Sequence, residues 1–263
     1  MYVRHENEME RLLRLAATEP AYRPQFSRAL LNAEVFILGH PENELVQGTL
    51  QAGTKVSVKN WYREDGSPVI PFFTSEEAMR LAIREEEKYL RLPARSLFEI
   101  TRGASLFLNP QLDYGKEFVP GEVEALLNAG VGSQVTTRVI QQETKVLIGK
   151  PRIWPEDVVQ SVTKLLVGRR EVKAAYLALM HDTSIDQQPH LLLAVEFEGE
   201  DLQVLQDVGA VAGEYVKTYG PIDVIRIAHS DTGLAGHFYQ NDKPFYERTL
   251  ASKLKSAFGF GRA

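Results

Sequence analysis

Cysteine is absent from the 263 residues of the sequence. Its absence excludes disulfides, a thiol nucleophile and cysteine-ligated metal sites, and it is compatible with a reducing cytosol. No apolar run approaches the ~20 residues that a membrane-spanning helix needs. The first eight residues include several charged side chains and lack the apolar core of about 7–15 residues that marks a signal peptide. We therefore expect a cytoplasmic protein without a membrane partner.

An excess of positive charge is also absent. The 30 Lys and Arg residues stand against 35 Asp and Glu, which gives a net charge of −5. This balance provides no overall attraction to nucleic acid, so we expect no nucleic-acid partner. Apolar residues make up 44% and charged residues 25%, as is usual for a soluble globular protein. The length suggests two domains, each able to bury its own core.

Glycine-rich phosphate-binding motifs are missing as well. No Gly-x-Gly-x-x-Gly joins a predicted strand to a helix, and no Gly-x-x-x-x-Gly-Lys-Ser/Thr occurs. Gly130 and Gly132 stand alone before polar residues, which is typical of a linker. We therefore expect no nucleotide or other cofactor.

The six histidines show no metal-binding spacing. His181 and His190 flank a predicted hairpin loop with Asp182 and Asp186, where a polar turn is favoured over a weak metal site. No Gly-x-Ser-x-Gly elbow is present, although a triad could still assemble from distant residues. We expect no metal site and no catalytic residues, and we leave enzymatic activity open.

The clearest local signal covers residues 68–77. The apolar residues 69–73 predict a buried strand, and Thr74 with Glu77 predicts a capping box that starts a helix reaching about Leu90. Further first-half predictions are helices over 5–18, from Pro24, over 96–101 and from Pro120, strands over 34–38 and 105–108, a hairpin over 55–73, and brief pairing at 118–119.

The second half predicts a β-α-β-β-α-β order. Its strands are expected over 139–148, 172–180, 191–197 and 222–228, with helices from Pro155 and over 202–215. That order matches the ferredoxin-like pattern. We therefore expect an α+β protein with two domains. The N-terminal α+β domain (residues 1–134) should have a mixed or antiparallel sheet, and the C-terminal domain (135–263) should be ferredoxin-like, with the linker within 130–138.

Two segments supply candidate binding residues. The loop over 109–118 combines turn formers with an aromatic side chain, a lysine and an acid. It is either a binding surface or an ordinary connection in which Asn109 and Gly115 set backbone angles. Its candidate residues are Asn109, Tyr114, Lys116, Glu117 and Phe118.

The second segment covers residues 243–262 and supplies the candidates Phe245, Tyr246 and Arg248. It carries five basic residues and one acidic residue. Phe245, Leu250, Leu254 and Phe258 could share one helix face. That face either packs on the C-terminal domain or docks on an acidic or apolar partner surface.

Several motifs together resemble the bacterial SseB family, the enhanced serine sensitivity protein and not the secretion-system translocon protein of the same name. They are residues 10–26, 69–75, 106–109, 114–118 with Pro120 and Glu122, 221–223, and 244–248. The resemblance covers both halves. It implies the bacterial cytoplasm and a link to serine tolerance, and it implies no catalytic residues.

Two functional hypotheses remain. The first is a non-catalytic binding or adaptor protein that acts through a protein partner in amino-acid metabolism or stress. The second is a sensor or enzyme that binds an amino acid. A ferredoxin-like domain would fit the second hypothesis only by analogy of fold.

Overall fold

The computed structural model describes residues 6–41, 55–129, 146–183, 188–229, 231 and 233–248. The chain divides into two compact units, Met1–Gly132 and Ser133–Ala263. Each unit combines helices with a sheet of mixed strand direction, so the predicted α+β class is confirmed. The predicted linker over 130–138 lies outside the described residues, and the boundary after residue 134 stays a prediction.

The first unit has five α-helices, one short 3-10 helix (Pro20–Tyr22) and seven strands in its described part. The helices are α1 (Glu8–Thr18), α2 (Arg23–Leu31), α3 (Glu76–Ala82), α4 (Ala94–Ile100) and α5 (Pro120–Ala129). The strands are β1 (Glu34–Pro41), β2 (Val56–Val58), β3 (Trp61–Tyr62), β4 (Pro68–Phe73), β5 (Tyr89–Pro93), β6 (Leu106–Leu108) and β7 (Lys116–Phe118).

The sheet of the first unit follows the order β2-β1-β4-β6-β7, with β5 on β1 and β3 on β4. Its β4–β6 pair is parallel and its other pairs are antiparallel, so the sheet is mixed as predicted. Neighbouring side chains of a strand point to opposite faces. Phe72 therefore packs with α1, α2 and α4, while Phe73 packs with α3. Burial on both faces explains why β4 is almost wholly apolar.

The start of α3 differs from the prediction by one residue. Ser75 is the N-cap, because its Oγ accepts a hydrogen bond from the Ala78 N–H at 3.0 Å. Glu77 therefore stands at the second helical position, and the predicted Thr74–Glu77 capping box is wrong. A capping box does form at α1, between Asn7 and Glu10.

The end of α3 is also earlier than predicted. The helix stops at Ala82, and Tyr89–Pro93 forms β5 along β1. Leu90 and Leu92 alternate with exposed residues and are buried in the core, which is the pattern of a strand with one face inward. The predicted 55–73 hairpin is correct only for β3 and β4, because β2 pairs with β1.

The second unit has four helices and five strands in its described part. The helices are α6 (Glu156–Val167), α7 (Gln203–Gly213), α8 (Val216–Tyr219) and α9 (Leu234–Asn241). The strands are β8 (Val146–Gly149), β9 (Val172–Asp182), β10 (His190–Phe197), β11 (Ile222–Ile227) and β12 (Tyr246–Glu247).

The sheet of the second unit does not confirm the ferredoxin-like arrangement. The β-α-β-β-α-β order is present from β8 to β11, but the strands stand in the order β11-β10-β9-β12, with β8 also on β9. In a split βαβ unit another strand separates the two strands that the helix joins. Here β10 and β11 are joined by α7 and pair directly, in parallel.

The described part of the C-terminal segment contains a strand and no helix. Phe245 lies in a bend, and after it Tyr246 pairs with Ala175 and Glu247 with Ala174, so the predicted helix face is wrong at Phe245. Residues 249–263, with Leu250, Leu254 and Phe258, lie outside the described residues.

Candidate binding cleft

An open cleft of about 360 Å³ lies on the first unit. Its lining comes from α1 and the residue before its cap, from the end of α3, and from the loop between β6 and β7. The lining residues are Glu6, Glu10, Arg14, Leu81, Gln111, Leu112, Asp113 and Tyr114. The cleft therefore includes part of the 109–118 loop that the sequence indicates, together with residues that it does not.

Glu10 is the buried acid of the cleft, with 6% of its surface exposed. The α1 capping box fixes its position, because Glu10 N–H donates to Asn7 Oδ1 at 2.9 Å and Asn7 N–H donates to Glu10 Oε2 at 3.2 Å. The other carboxylate oxygen, Oε1, accepts a hydrogen bond from Thr74 Oγ1 at 2.6 Å. Helix α1 is thus tied to the connection between β4 and α3.

Asn109 ties the same connection to the loop after β6. It is fully buried and has a φ of 49°, in the left-handed region that Asn tolerates better than most residues. Its Oδ1 accepts from the Thr74 N–H at 3.0 Å, and its Nδ2 donates to Thr74 Oγ1 at 2.9 Å. Its carbonyl accepts from the Leu112 N–H at 3.1 Å. Asn109 therefore sets the path of the loop.

Gly115 lies near the end of this loop, where the chain packs closely against residues 107–109. A Cβ at this position would lie 2.9 Å from Phe107 Cε2 and 3.0 Å from the Asn109 carbonyl oxygen. Only glycine allows that approach without displacing its neighbours. The loop leaves Asp113 and Tyr114 exposed on the rim of the cleft.

Arg14 and Glu6 form a two-bond ion pair in the lining. Arg14 Nε donates to Glu6 Oε1 at 2.9 Å, and Nη2 donates to Oε2 at 3.0 Å. These hydrogen bonds, together with the charge of Glu6, raise the pKa of Arg14. The guanidinium and the Glu6 carboxylate therefore neutralise each other.

The remaining loop candidates do not line the cleft. Lys116 Nζ lies 2.9 Å from Glu122 Oε1, and Glu117 pairs with Arg63. Phe118 is 1% exposed and belongs to the hydrophobic core, where the centroid of its ring lies 5.9 Å from the centroid of the Phe72 ring. Of the five predicted residues, Tyr114 lines the cleft and Asn109 positions the loop.

The three C-terminal candidates hold β12 in place. Tyr246 is 8% exposed, and its hydroxyl donates to the Leu166 carbonyl at 3.2 Å. Arg248 Nη1 donates to the Arg169 carbonyl at 2.6 Å, and the Phe245 N–H donates to the Ala175 carbonyl at 2.9 Å. Their role in binding a partner stays a prediction.

Glu6, Glu10, Arg14 and Leu81 are cleft residues that the sequence interpretation missed. One signal could have identified Glu10, because Asn7 and Glu10 have the three-residue spacing of a capping box. The contact of Glu10 with Thr74 has no sequence signal, since the two residues are 64 positions apart.

Two features, a metal site and a membrane-spanning helix, are absent from the described ranges. Within them, no group of three or more His, Asp or Glu side chains could hold a metal ion. His190 Nε2 instead lies 2.9 Å from Asp223 Oδ2. None of the helices in these ranges is both long and apolar enough to cross a membrane.

Comparisons with known proteins agree over nearly the whole chain. Residues 9–125 match the SseB protein N-terminal domain family, and residues 140–248 match the SseB protein C-terminal domain family. Protein SseB of Escherichia coli (strain K12) and Protein SseB of Shigella flexneri are each 33% identical over 251 residues, with 95% of both chains covered. A crystal structure of sex pheromone staph-cAM373 precursor covers 84% of each chain at 12% identity, and its TM-score of 0.18 supports no argument.

Proposed function

The chain belongs to the SseB family, and we propose that it is a non-catalytic, cytoplasmic binding or adaptor protein. In this proposal it supports serine tolerance by contacting a protein partner through the cleft of the first unit. The link to serine comes from the resemblance described above.

The observation that carries the proposal is the make-up of the cleft. Its rim exposes 59% of Leu81 and 39% of Tyr114, next to the charged side chain of Asp113. Protein interfaces use tyrosine as an anchor and surround it with polar groups. The hydrogen bonds among Glu10, Thr74 and Asn109 fix the buried part in advance, so binding would require little further ordering.

Affinity capture from bacterial lysate tests the proposal. The intact chain would be compared with Tyr114→Ala and with a matched control, Tyr62→Ala. Tyr62 is 73% exposed on β3 and does not line the cleft. We expect a protein that is recovered by the wild type and by Tyr62→Ala but lost with Tyr114→Ala. Recovery of nothing beyond the bait, or equal loss with both variants, would contradict the proposal.

A second candidate, an amino-acid sensor or enzyme, has one observation in its favour. Arg14 lines the cleft together with the acids Glu10 and Asp113, and a zwitterion needs both signs of charge. A ligand at 100 times its dissociation constant stabilises the folded state by about 2.7 kcal/mol. A thermal shift with serine or a related amino acid, abolished by Arg14→Gln, would favour this candidate over the adaptor.

A further inference from the structure

Asp113 gives the exposed rim of the cleft a negative charge. Glu6 and Arg14 neutralise each other through two hydrogen bonds. Glu10 is buried and accepts hydrogen bonds through both carboxylate oxygens, so Asp113 is the exposed acid of the lining outside that pair. Asp113 is exposed at the rim, where no hydrogen bond or ion pair to it is seen among the described residues. A positively charged group on a partner would therefore be attracted to the cleft.

The apolar part of the cleft is adjacent to Asp113. Tyr114 directly follows Asp113, and Leu112 is partly buried against the cluster that contains Phe73 and Met79. Leu81 faces the same opening from α3. A tyrosine ring attracts a cation over its face, and it also packs against methylene groups. Lysine and arginine carry both a cation and an apolar stem, so one side chain could contact Asp113 and Tyr114 together.

The shape of the cleft indicates a chain segment as the occupant. Its lining comes from three separate elements, and two of its apolar side chains, Leu81 and Tyr114, are exposed at the rim. Binding sites for small molecules instead bury about 70–90% of the ligand surface. A peptide lying across the opening would cover Leu81 and Tyr114, while the rest of its protein remains outside.

We propose that this cleft recognises a basic segment of a protein partner, in which a Lys or Arg side chain reaches Asp113 and a neighbouring apolar side chain packs on Tyr114 and Leu81. The inference rests on the proposed function and names the chemistry of the partner. An acidic segment would be repelled by Asp113.

Peptide binding tests the inference directly. The probe is a fluorescently labelled peptide of alternating lysine and leucine, titrated with the intact chain and followed by fluorescence anisotropy. Its control has glutamate in place of every lysine. We expect saturable binding of the basic peptide alone, with an affinity that falls as salt is added, because screening weakens contacts between exposed charges.

Charge reversal in the protein locates the contact. Asp113→Lys should weaken binding of the basic peptide by about fivefold or more, as expected for loss of an exposed charge pair and its replacement by repulsion. Glu99→Lys is the matched control, because Glu99 is exposed on α4 and does not line the cleft. Glu99→Lys should leave the affinity for the peptide within about twofold. It changes the net charge by the same amount, but outside the cleft, where salt screens its effect on the bound peptide.

The outcomes separate the inference from the proposed function. Equal binding of the acidic peptide, or equal weakening by Glu99→Lys, would overturn the basic-segment inference. The lysate capture is a separate measurement, in which Tyr114→Ala can still lose a partner that the wild type recovers. In that case the adaptor function stands, and only the basic character inferred for the partner's segment is wrong. Basic-peptide binding that Asp113→Lys weakens, together with competition between the peptide and the captured partner, would support both.

Discussion

At the scale of single residues, Asn109 combines two demands that few side chains meet. Its backbone is left-handed, and its buried amide serves both the N–H and the hydroxyl of Thr74. Glycine would adopt the left-handed backbone easily but would make neither hydrogen bond to Thr74. Alanine would satisfy neither. The two substitutions therefore separate backbone conformation from hydrogen bonding.

We predict that Asn109→Ala destabilises the protein more than Asn109→Gly does. Both changes leave the half-buried Thr74 N–H without its acceptor, at a cost of about 1 kcal/mol or more. Alanine adds the left-handed strain of about 1–2 kcal/mol. Urea unfolding measures both variants. Equal losses would show that the backbone angle is not a constraint at this position.

A second prediction concerns the cap of α3. Ser75→Ala should cost about 0.5–2 kcal/mol, whereas Ser75→Gly should cost only a few tenths, because glycine is tolerated at an N-cap. Chemical denaturation of the two variants checks the difference. If alanine is as well tolerated as glycine, Ser75 does not cap the helix.

The cap also shows how far a sequence can be interpreted locally. Residues 74 and 75 are both capping types, and spacing favoured Thr74 because Glu77 follows three residues later. In the structure, Thr74 is engaged by Glu10 and Asn109, which are 64 and 35 positions away. These distant contacts orient the Thr74 side chain away from the helix start, and Ser75 takes the cap. The local sequence pattern therefore predicts that a helix begins here, but contacts with residues distant in sequence determine which residue caps it.

At the scale of elements, β5 shows how tertiary pairing outweighs local preference. Residues 84–88 are charged and compatible with a longer helix, but β1 has an edge that β5 fills through five residue pairs. That pairing places Leu90 and Leu92 in the core. Most helices and strands could be predicted from periodicity, since their apolar faces are continuous. The extent of α3 could not, because β1 and β5 are distant in sequence.

Strand β12 leads to a third prediction. Tyr246→Phe removes the hydroxyl that donates to the Leu166 carbonyl, so it should destabilise the protein by about 1 kcal/mol. Tyr62→Phe, at an exposed site, should change stability by less than about 0.5 kcal/mol. Thermal unfolding of both variants measures this. An unchanged melting temperature for Tyr246→Phe would mean that the hydrogen bond to the Leu166 carbonyl does not stabilise the packing of β12.

At the scale of the whole molecule, each unit has a hydrophobic core of its own. The largest described cluster lies entirely in the first unit and includes Phe72 and Phe98. Another, with Tyr176 and Phe238, lies entirely in the second. We predict that residues 1–134 and 135–263 each fold as separate fragments. Amide NMR spectra would show wide dispersion for both. A collapsed, disordered spectrum for either fragment would mean that the halves depend on one another.

The strand order of the second unit marks the limit of prediction at this scale. The succession of strands and helices was available from apolar patterns, and it led to the ferredoxin-like expectation. The order within a sheet depends on which edges meet, and β12 meets β9 only after most of the unit has intervened. The cleft shows the same limit, because the 109–118 loop was recognisable while its facing residues on α1 were not.

The pairing of β9 has a mechanical consequence. Strand β10 occupies one edge of β9, so β8 and β12 share the other edge, end to end and running in the same direction. Tension between the chain before Val146 and the chain after Glu247 would draw β8 and β12 apart along the axis of β9. The hydrogen bonds on that edge would then carry the load together, as in shear, and would not open one after another like a zipper. Strand β9 would act as a clamp on the second unit, and stretching a single molecule from these two points should reveal it as one sharp force peak.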